Sequence, residues 1–272
     1  MVNCIEQELG NEWSISPAGG LTGDAYIATK DNQQLFLKRN SSPFLAVLSA
    51  EGIVPKLIWT KRLQNGDVIT AQEWLEGRKL EPEEMKSPEV TRLLRRIHHS
   101  SELLHMLMRL GKKAESAEEN YAHLKADLNK NKLITRYASI RFALAHLKRL
   151  LPVTRGQKQV VCHCDLNHNN ILKDKHGDIY LIDWDNAAIA DPIIDFAMVL
   201  KWYVAESDWA DWLQKYGVSL DSQLIKRMYW YLLFNTVYYI NWHATRHEYD
   251  KVRERLQALQ KLNEYIDTQI IK

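Results

Sequence analysis

The chain has 272 residues, of which 46% are hydrophobic and 26% charged, and its formal net charge is +2. These values are typical of a globular protein with room for two packed lobes. Because basic residues are scattered among acidic ones, the sequence predicts no concentrated basic surface, and we expect no nucleic acid among the partners.

The N-terminal residues predict a cytoplasmic location. Residues 1–8 have neither the basic start nor the apolar core of a secretory signal. The three cysteines, Cys4, Cys162 and Cys164, cannot form a disulfide framework, which agrees with a reducing compartment.

One apolar span approaches the length of a membrane helix. It runs from Met228 to Thr245 and contains no Lys, Arg, Asp or Glu. Asn235, Asn241 and His243 interrupt it, and many of its apolar residues are Tyr or Trp. We therefore predict a buried helix and no stable membrane insertion.

The first third of the chain predicts a small antiparallel sheet. Apolar alternation indicates about five strands, at Trp13–Ser16, Ala25–Thr29, Gln34–Lys38, Lys56–Thr60 and Val68–Trp74. The Asn65-Gly66 pair tolerates positive φ and predicts a hairpin turn between the last two strands. Five strands are a usual size for a sheet.

The apolar period becomes helical after Ser87. Ser87 and Pro88 suit the N-cap and the first helical position, and Val90, Leu94 and Ile97 follow at helical spacing. Further helices are predicted at Ala117–Asn129, Leu133–Leu151, Ile193–Ala205, Trp209–Tyr216, Gln223–Arg246 and Tyr249–Ile270. We predict an α+β, bilobal protein with a sheet lobe at residues 1–76 and a larger, mainly helical lobe at residues 77–272.

Two apolar segments in the middle of the chain each lead to an acidic residue, the first to Asp165 and the second to Asp183. A turn at residues 175–177 is predicted to bring these segments together, and Asn170 with them. Carboxylate and amide oxygens are the ligands that a magnesium ion carrying phosphates prefers. The pattern therefore predicts a magnesium site.

The remaining parts of a phosphoryl-transfer site have candidates as well. Asp165 would accept the proton of an attacking hydroxyl, while Asn170 and Asp183 would hold the metal. Lys38, at the end of the third strand, would reach the α- and β-phosphates. A glycine-rich segment would let backbone N–H groups approach the triphosphate closely, and its glycines are Gly19, Gly20 and Gly23.

These motifs resemble a known family. His163-Cys164-Asp165 with Asn170, the Ile-Asp-Trp-Asp run ending at Asp185, and Asp-Pro-Ile-Ile-Asp ending at Asp195 are similar to the aminoglycoside phosphotransferase and choline kinase family. The resemblance covers nearly the whole chain. It implies a protein-kinase-like fold with ATP and Mg²⁺ as cofactors, and it implies that the backbone of Glu73, Trp74 and Leu75 binds adenine.

A finer resemblance, carried by the run from Leu35 to Phe44, is to the CcrZ/YtmP branch of Gram-positive bacteria. It implies phosphorylation of ribosyl or deoxyribosyl hydroxyls and a role in the cell cycle, with proteins that control replication or division as partners. The wider family pairs the phosphate-binding lysine with a glutamate. In this chain Glu51 is the nearest acid to follow Lys38 in the sequence.

Each of these residues has a simpler interpretation. Taken singly, Asp165, Asn170 and Asp183 are ordinary turn or cap residues. The Cys162-His163-Cys164 run suggests zinc, but residues that alternate along a strand point to opposite faces, and no second Cys/His cluster completes four ligands. His163 is predicted to brace the catalytic loop, and Asp195 to bond the loop amides.

The candidates for binding the acceptor are aromatic residues near the C-terminus and one acidic residue. Trp202, Tyr239 and Trp242 are candidates for stacking on a nucleobase or for enclosing a quaternary ammonium, and the two uses need the same rings. Asp185 is a candidate for orienting a substrate hydroxyl or for a second metal contact. Three hypotheses stay open: a kinase for the sugar hydroxyl of a nucleoside or related riboside, a choline- or ethanolamine-type kinase, and a kinase-fold regulatory scaffold with little turnover.

Overall fold

A computed structural model describes residues 9–10, 12–18, 24–114 and 116–271. Its strands are β1 Ser14–Pro17, β2 Ala25–Lys30, β3 Gln33–Arg39, β4 Leu57–Arg62, β5 Val68–Glu73, β6 Gly77–Lys79, β7 Val160–Cys162, β8 Ile171–Asp174, β9 Ile179–Leu181 and β10 Ala188–Ala190. Its helices are α1 Phe44–Ala50, α2 Pro88–His99, α3 Ser101–Arg109, α4 Ala117–Lys130, α5 Leu133–Arg136, α6 Ala138–Leu150, α7 Ile193–Tyr203, α8 Trp209–Tyr216, α9 Ser222–Thr245 and α10 Tyr249–Tyr265.

The N-terminal strands form a five-stranded antiparallel sheet in the order β1-β2-β3-β5-β4. Its buried side chains include Ala28, Leu37, Ile69 and Ala71, which come from β2, β3 and β5. The predicted five-stranded sheet is confirmed, and the strand ends differ from the predicted ones by one or two residues. Strand ends shift by this amount because terminal residues pair weakly.

The predicted hairpin turn between β4 and β5 is confirmed. Gly66 has φ of +89°, and the Leu63 N–H donates to the Asp67 carbonyl at 2.7 Å. The Asp67 carboxylate in turn accepts from Arg39 Nε on β3 at 2.8 Å. The guanidinium beside it lowers the pKa of the Asp67 carboxyl, with help from the Asn40 side chain.

A second, three-stranded sheet has the order β6-β8-β9. The predicted turn at residues 175–177 joins β8 to β9, with Gly177 at φ of +93°. The strand before Asp165, β7, pairs with β10. That the turn brings the Asp165 and Asp183 segments together stays a prediction.

Gly77 sits where two backbones approach closely. A Cβ placed there would lie 2.2 Å from the Lys173 carbonyl oxygen on β8. We expect Gly77→Ala to lower the free energy of unfolding by about 1–3 kcal/mol, since backbone atoms must move apart. Urea unfolding would measure this, with the exposed neighbour Lys79→Ala as the control. Equal stability of the two variants would contradict the close approach.

Helix α2 follows the predicted pattern. Ser87 occupies the N-cap position and Pro88 follows as the first helical residue, although the Ser87 side chain makes no capping hydrogen bond. Val90, Leu94 and Ile97 are buried on one face. Packing of this apolar face therefore contributes most of the stability of α2, as it does for most helices in proteins.

The single helix predicted at Leu133–Leu151 is wrong, because the chain breaks at Tyr137 into α5 and α6. Tyr137 has φ and ψ of −124° and 118°, which are extended values. Arg141 Nη1 donates to the carbonyl oxygens of Ile134 and Thr135 at 2.9 and 3.3 Å. These bonds satisfy carbonyls at the end of α5 that a continuous helix would have paired with its own amides.

The C-terminal helices contain most of the aromatic residues. Along α9, Tyr229, Trp230 and Tyr231 are buried, and Trp230 Nε1 donates to the Leu147 carbonyl at 3.0 Å. The predicted helix Tyr249–Ile270 is α-helical to Tyr265 and continues as a π-helical turn at Ile266–Ile270. Among the described residues, no helix combines the length and apolarity needed to cross a membrane.

Packing divides the chain into two compact units, each built from separate stretches. The sheet unit comprises Met1–Glu81, Ser101–Arg109 and His168–Asp183, and contains both the five-stranded and the three-stranded sheet. The helical unit comprises Pro82–Ser100, Leu110–Asn167 and Trp184–Lys272, and contains β7, β10 and most of the helices. The lobe boundary between residues 76 and 77 stays a prediction.

Candidate active site

In the helical unit, the loop that follows β7 is held by a buried carboxylate. Asp195, on the first turn of α7, has no exposed surface. Its Oδ2 accepts from the His163 backbone N–H at 2.9 Å, and its Oδ1 accepts from the Cys164 N–H at 2.8 Å. Two successive amides of this loop are thus fixed by one side chain, which confirms the contact predicted for Asp195.

The loop backbone reaches Asp165 through a strained residue. Cys164 has φ of 64°, a conformation that side chains other than glycine, asparagine and aspartate rarely adopt. The bond from its N–H to Asp195 stabilises this conformation. Asp165 follows, partly buried, at the start of the next segment. Strain of this kind is concentrated at functional sites.

His163 contacts the loop on both sides. It is fully buried, its Nδ1 accepts from the Asp165 backbone N–H at 3.3 Å, and its ring meets Trp184 edge to face at 5.0 Å. These contacts are those of a residue that orients Asp165. A catalytic contribution of His163 stays a prediction.

Asn167 was missed by the sequence reasoning. Its Nδ2 donates to the Asp165 carbonyl at 3.1 Å and lies 3.5 Å from the Asp165 carboxylate. The signal was its position two residues after the candidate base, where an amide side chain bonds back to the preceding backbone. Asp165 is therefore oriented by His163, two residues before it, and by Asn167, two residues after it.

The Asp195 carboxylate is supported by two further buried groups. His98 Nε2 lies 3.0 Å from Asp195 Oδ2, and His98 Nδ1 lies 2.6 Å from the Tyr216 hydroxyl. Because a carboxylate can only accept, His98 Nε2–H donates to Asp195, and the direction of the bond between His98 Nδ1 and the Tyr216 hydroxyl depends on the tautomer. No local sequence pattern marks this arrangement, because His98 and Tyr216 are 118 residues apart.

The charge of Asp195 follows from these contacts. Burial by itself raises the pKa of the Asp195 carboxyl, but the hydrogen bond and charge of His98, together with His163, outweigh it. The pKa therefore lies below its ordinary value of 3.8. Burial raises the pKa of Tyr216, so its hydroxyl stays protonated and available as a donor.

The same network accounts for a group of potential metal ligands. His98, Cys162 and Asp195 place three ligand atoms within 4.8 Å of one another, all buried. Burial raises the pKa of Cys162, so it is a thiol, and its Sγ lies 3.5 Å from the Asp191 carbonyl oxygen. His98 and Asp195 bind each other and the loop. Hydrogen bonding therefore explains why these three donor groups lie together.

In the sheet unit, Lys38 lies near the end of β3, partly buried, opposite Ala25 on β2 and Thr70 on β5. The Thr70 hydroxyl donates to the Lys38 carbonyl at 3.1 Å. Residues on both sides of the glycine-rich segment are bonded, since the Ala18 N–H donates to the Ala25 carbonyl at 2.9 Å. The glycines themselves, Gly19, Gly20 and Gly23, lie outside the described residues.

The predicted adenine-binding residues follow the central strand β5. Glu73 ends β5, and its N–H donates to the Lys56 carbonyl at 2.8 Å. Trp74 and Leu75 come next, partly buried, and within the described ranges their N–H groups have no backbone hydrogen-bond partner. Backbone groups without protein partners are what an adenine edge requires.

The two predicted metal ligands lie in the same unit. Asn170 ends a 3₁₀ turn, and its carbonyl accepts from the Ile182 N–H at 2.8 Å. Asp183 directly follows Ile182, and it is exposed and has φ of 66°. The structure therefore brings the backbone of Asn170 beside the segment that presents the Asp183 carboxylate. Hard oxygen donors at an exposed position suit Mg²⁺.

The predicted acceptor residues lie in the helical unit and do not form one cluster. Tyr239 and Trp242 on α9 meet edge to face, with ring centroids 6.4 Å apart. Among the described residues, Trp202 makes no ring contact with either, and it is 63% exposed. Asp185 is exposed within the 3₁₀ turn Trp184–Asn186.

Of the residues predicted to contact the acceptor, Tyr239 is the one whose hydroxyl is influenced by the charge of Asp165. Burial raises the pKa of Tyr239 to about 12, and the nearby negative charge of Asp165 contributes to the increase. Tyr239 is therefore a neutral phenol at pH 7, close to the candidate base.

Comparisons with known proteins agree with this architecture. A choline kinase, LicA from Streptococcus pneumoniae, matches with a TM-score of 0.72 and 19% identity over 97% of this chain and 99% of that chain. The wild-type aminoglycoside 2′-phosphotransferase-IIIa, in complex with GDP, matches with a TM-score of 0.71 and 15% identity over 97% of each chain. A variant of aminoglycoside phosphotransferase APH(4)-Ia, in complex with ADP and hygromycin B, matches with a TM-score of 0.65 and 14% identity over 96% of each chain.

These similarities define the class of protein: the chain has the protein-kinase-like fold of small-molecule phosphotransferases, with an antiparallel sheet lobe and a larger helical lobe. Residues 15–231 match the phosphotransferase enzyme family, APH. The chain belongs to this family. The predicted fold class is thereby confirmed.

Proposed function

We propose that this protein is an ATP- and Mg²⁺-dependent kinase that phosphorylates a sugar hydroxyl of a nucleoside or related riboside. The observation that supports this proposal is that a buried carboxylate holds the loop before Asp165 in one conformation. Asp195 fixes the amides of His163 and Cys164 at 2.9 and 2.8 Å, so that Asp165 leaves the loop in a defined direction. A general base must be positioned in this way before its basicity is useful.

Each step of the reaction has a residue proposed for it. Asp165 accepts the proton of the acceptor hydroxyl while the oxygen of that hydroxyl bonds to the γ-phosphorus of ATP. The bond between that phosphorus and the bridging β–γ oxygen breaks, which releases ADP. Asn170 and Asp183 would hold magnesium, which would neutralise charge on the phosphates. Lys38 binds the non-transferred phosphates.

The nucleotide itself is proposed to bind the remaining sheet-unit residues. The backbone of Glu73, Trp74 and Leu75 would bind adenine. The N–H groups of Trp74 and Leu75, which have no backbone hydrogen-bond partner within the described ranges, support this role. The glycines, Gly19, Gly20 and Gly23, would cover the phosphates. The ADP and AMP complexes solved for members of this fold agree with nucleotide use.

The riboside acceptor and a role in the bacterial cell cycle rest on the sequence resemblance to the CcrZ/YtmP branch. Proteins that control replication or division are proposed as partners on the same ground. The aromatic rings of Tyr239 and Trp242 support a flat, nucleobase-bearing acceptor, since such rings stack.

A choline-type kinase is the second candidate. It is supported by the similarity to LicA and by an aromatic ring close to Asp165. The two candidates separate in one assay of ATP consumption with magnesium, using nucleosides, ribose, choline, ethanolamine and aminoglycosides as acceptors. The riboside proposal expects ribosides to be turned over and Asp165→Ala to be inactive. Turnover of choline without ribosides would overturn it, and nucleotide binding without any turnover would favour a scaffold.

The assigned metal ligand gives a separate prediction. We expect Asp183→Asn to abolish the magnesium dependence of ATP binding, because an amide is a weaker ligand than a carboxylate, while asparagine tolerates the positive φ. Titration calorimetry with and without magnesium would measure this. Asp31→Asn is the matched control, since Asp31 is also exposed with positive φ, at 48°. Unchanged magnesium dependence in Asp183→Asn would remove Asp183 from the site.

A further inference from the structure

Two arginines lie on the aromatic rings predicted to contact the acceptor. The guanidinium carbon of Arg255, on α10, is 4.8 Å from the centroid of the Tyr239 ring. That of Arg246, just after α9, is 4.5 Å from the Trp242 ring. Both distances are within the range of a cation–π interaction. The rings that would otherwise be open to a cationic ligand thus carry cations of the protein.

The two arginines differ in how their charges are balanced. Arg246 is exposed and has a carboxylate partner, with its Nε 3.6 Å from Glu248. Arg255 is partly buried, and no carboxylate of the described residues lies within 4.0 Å of its guanidinium. Its neighbour Arg253, in contrast, is 73% exposed in its side chain and pairs with Asp250 at 3.1 Å. Arg255 is therefore the arginine of this surface with donors left for a ligand.

The position of Arg255 relates it to the chemistry. Burial is the main reason that the pKa of the Tyr239 hydroxyl is raised; the charge of Asp165 adds to the increase and that of Arg255 opposes it. Lys112 adds a further positive charge near Cys164, the residue before Asp165. Opposing these cations are Asp165 and the buried Asp195. The surroundings of Asp165 thus include the positive charge of Arg255, which no ion pair among the described residues neutralises.

This arrangement disfavours a cationic acceptor. A quaternary ammonium placed against Tyr239 would have to share the ring with a guanidinium, and two like charges at contact distance repel each other strongly where water is partly excluded. An aminoglycoside, which carries several ammonium groups, meets the same repulsion. A phosphate or another oxyanion would instead be attracted.

We propose that Arg255, supported by the Tyr239 ring, binds an anionic group of the acceptor, and that the acceptor class is a phosphorylated riboside rather than a neutral nucleoside or a choline-like cation. This inference rests on the proposed kinase function and narrows its substrate. The planar guanidinium offers two parallel N–H donors to phosphate oxygens, which a lysine cannot match. Phosphoryl transfer then occurs to a free hydroxyl of the sugar, at Asp165.

The test compares acceptors that differ only in a phosphate. Ribose against ribose 5-phosphate, and adenosine against its 5′-monophosphate, would be assayed for ADP production with Mg-ATP. Wild type is expected to prefer the phosphorylated member of at least one pair by roughly tenfold to a hundredfold in kcat/KM, as expected for a charged hydrogen bond. Arg255→Gln should lose that preference mainly through a higher KM, whereas Arg253→Gln should keep it. Equal use of both members of each pair by wild type would overturn the inference.

A binding measurement separates this inference from the kinase proposal. Calorimetric titration with ribose 5-phosphate, without nucleotide, is expected to give weaker binding to Arg255→Gln and Arg255→Lys than to wild type, with thermal denaturation confirming that all are folded. If phosphate-dependent binding is present but no acceptor is turned over, the kinase proposal fails and the anion site stands. If ribosides are turned over and Arg255→Gln behaves as Arg253→Gln does, the anion site fails and the kinase proposal stands.

Discussion

Replacing Asp165 with asparagine is expected to lower kcat by roughly 10²–10⁴-fold, the range for loss of a general base. An amide of the same size cannot accept the proton of the acceptor hydroxyl. The contacts that hold the loop should survive, because His163 Nδ1 and the Asn167 side chain bond to the backbone of Asp165. Nucleotide affinity should therefore stay close to that of wild type.

Steady-state kinetics and calorimetric titration with Mg-ATP check both halves of this result. Asp211→Asn is a suitable control, since Asp211 is an exposed carboxylate of the same unit that pairs with Lys215 on α8. If Asp165→Asn retained activity within a few-fold of the Asp211→Asn variant, Asp165 could not be the base.

Asp195→Ala is expected to have the largest effect on stability, lowering the free energy of unfolding by about 3–5 kcal/mol. The substitution removes the acceptor for the amides of His163 and Cys164, and for His98 Nε2. Buried donors left without partners are costly. Activity should fall as well, because Cys164 would no longer be held at positive φ.

Urea unfolding compares Asp195→Ala with Tyr216→Phe, which removes only the hydroxyl at the far end of the network. Tyr216→Phe should lower the free energy of unfolding by about 1 kcal/mol, the value of one hydrogen bond. If the two variants were equally stable, the carboxylate would not be the centre of the network.

The low pKa of Asp195 sets the direction of a pH effect. Because the folded-state pKa lies below the ordinary value, the stability that ionised Asp195 contributes is fully present above the unfolded-state pKa of about 4 and is lost as pH falls through the lower folded-state pKa. Wild type should therefore keep this contribution throughout the neutral range.

Local patterns were sufficient to predict the five-stranded sheet and several of the long helices of this fold. Alternation gave the five-stranded sheet, Asn65-Gly66 its hairpin, and helical spacing the buried face of α2. Each of these depends on residues within a few positions of one another. The break at Tyr137 was not predictable from periodicity, since the apolar pattern continues through it and the Arg141 side chain accounts for the break.

The candidate site was predictable where its residues carry a short motif and not where they meet through the fold. Asp165, Asn170 and Asp183 lie in such motifs. His98 and Tyr216 contribute to the loop from helices far away in the sequence, and nothing in their local context marks them. Arg255 is a similar case, because the charge balance that sets it apart from Arg246 and Arg253 becomes visible only with neighbours in place.

The proposed reaction is the transfer of phosphate from ATP to a riboside hydroxyl with Asp165 as base. Phosphorus NMR of wild-type protein with Mg-ATP and ribose 5-phosphate or a nucleoside tests it directly. We expect a new phosphomonoester signal that grows with that of ADP and does not form with Asp165→Asn. A reaction that yields ADP and inorganic phosphate alone, or a phosphomonoester that forms equally with Asp165→Asn, would contradict it.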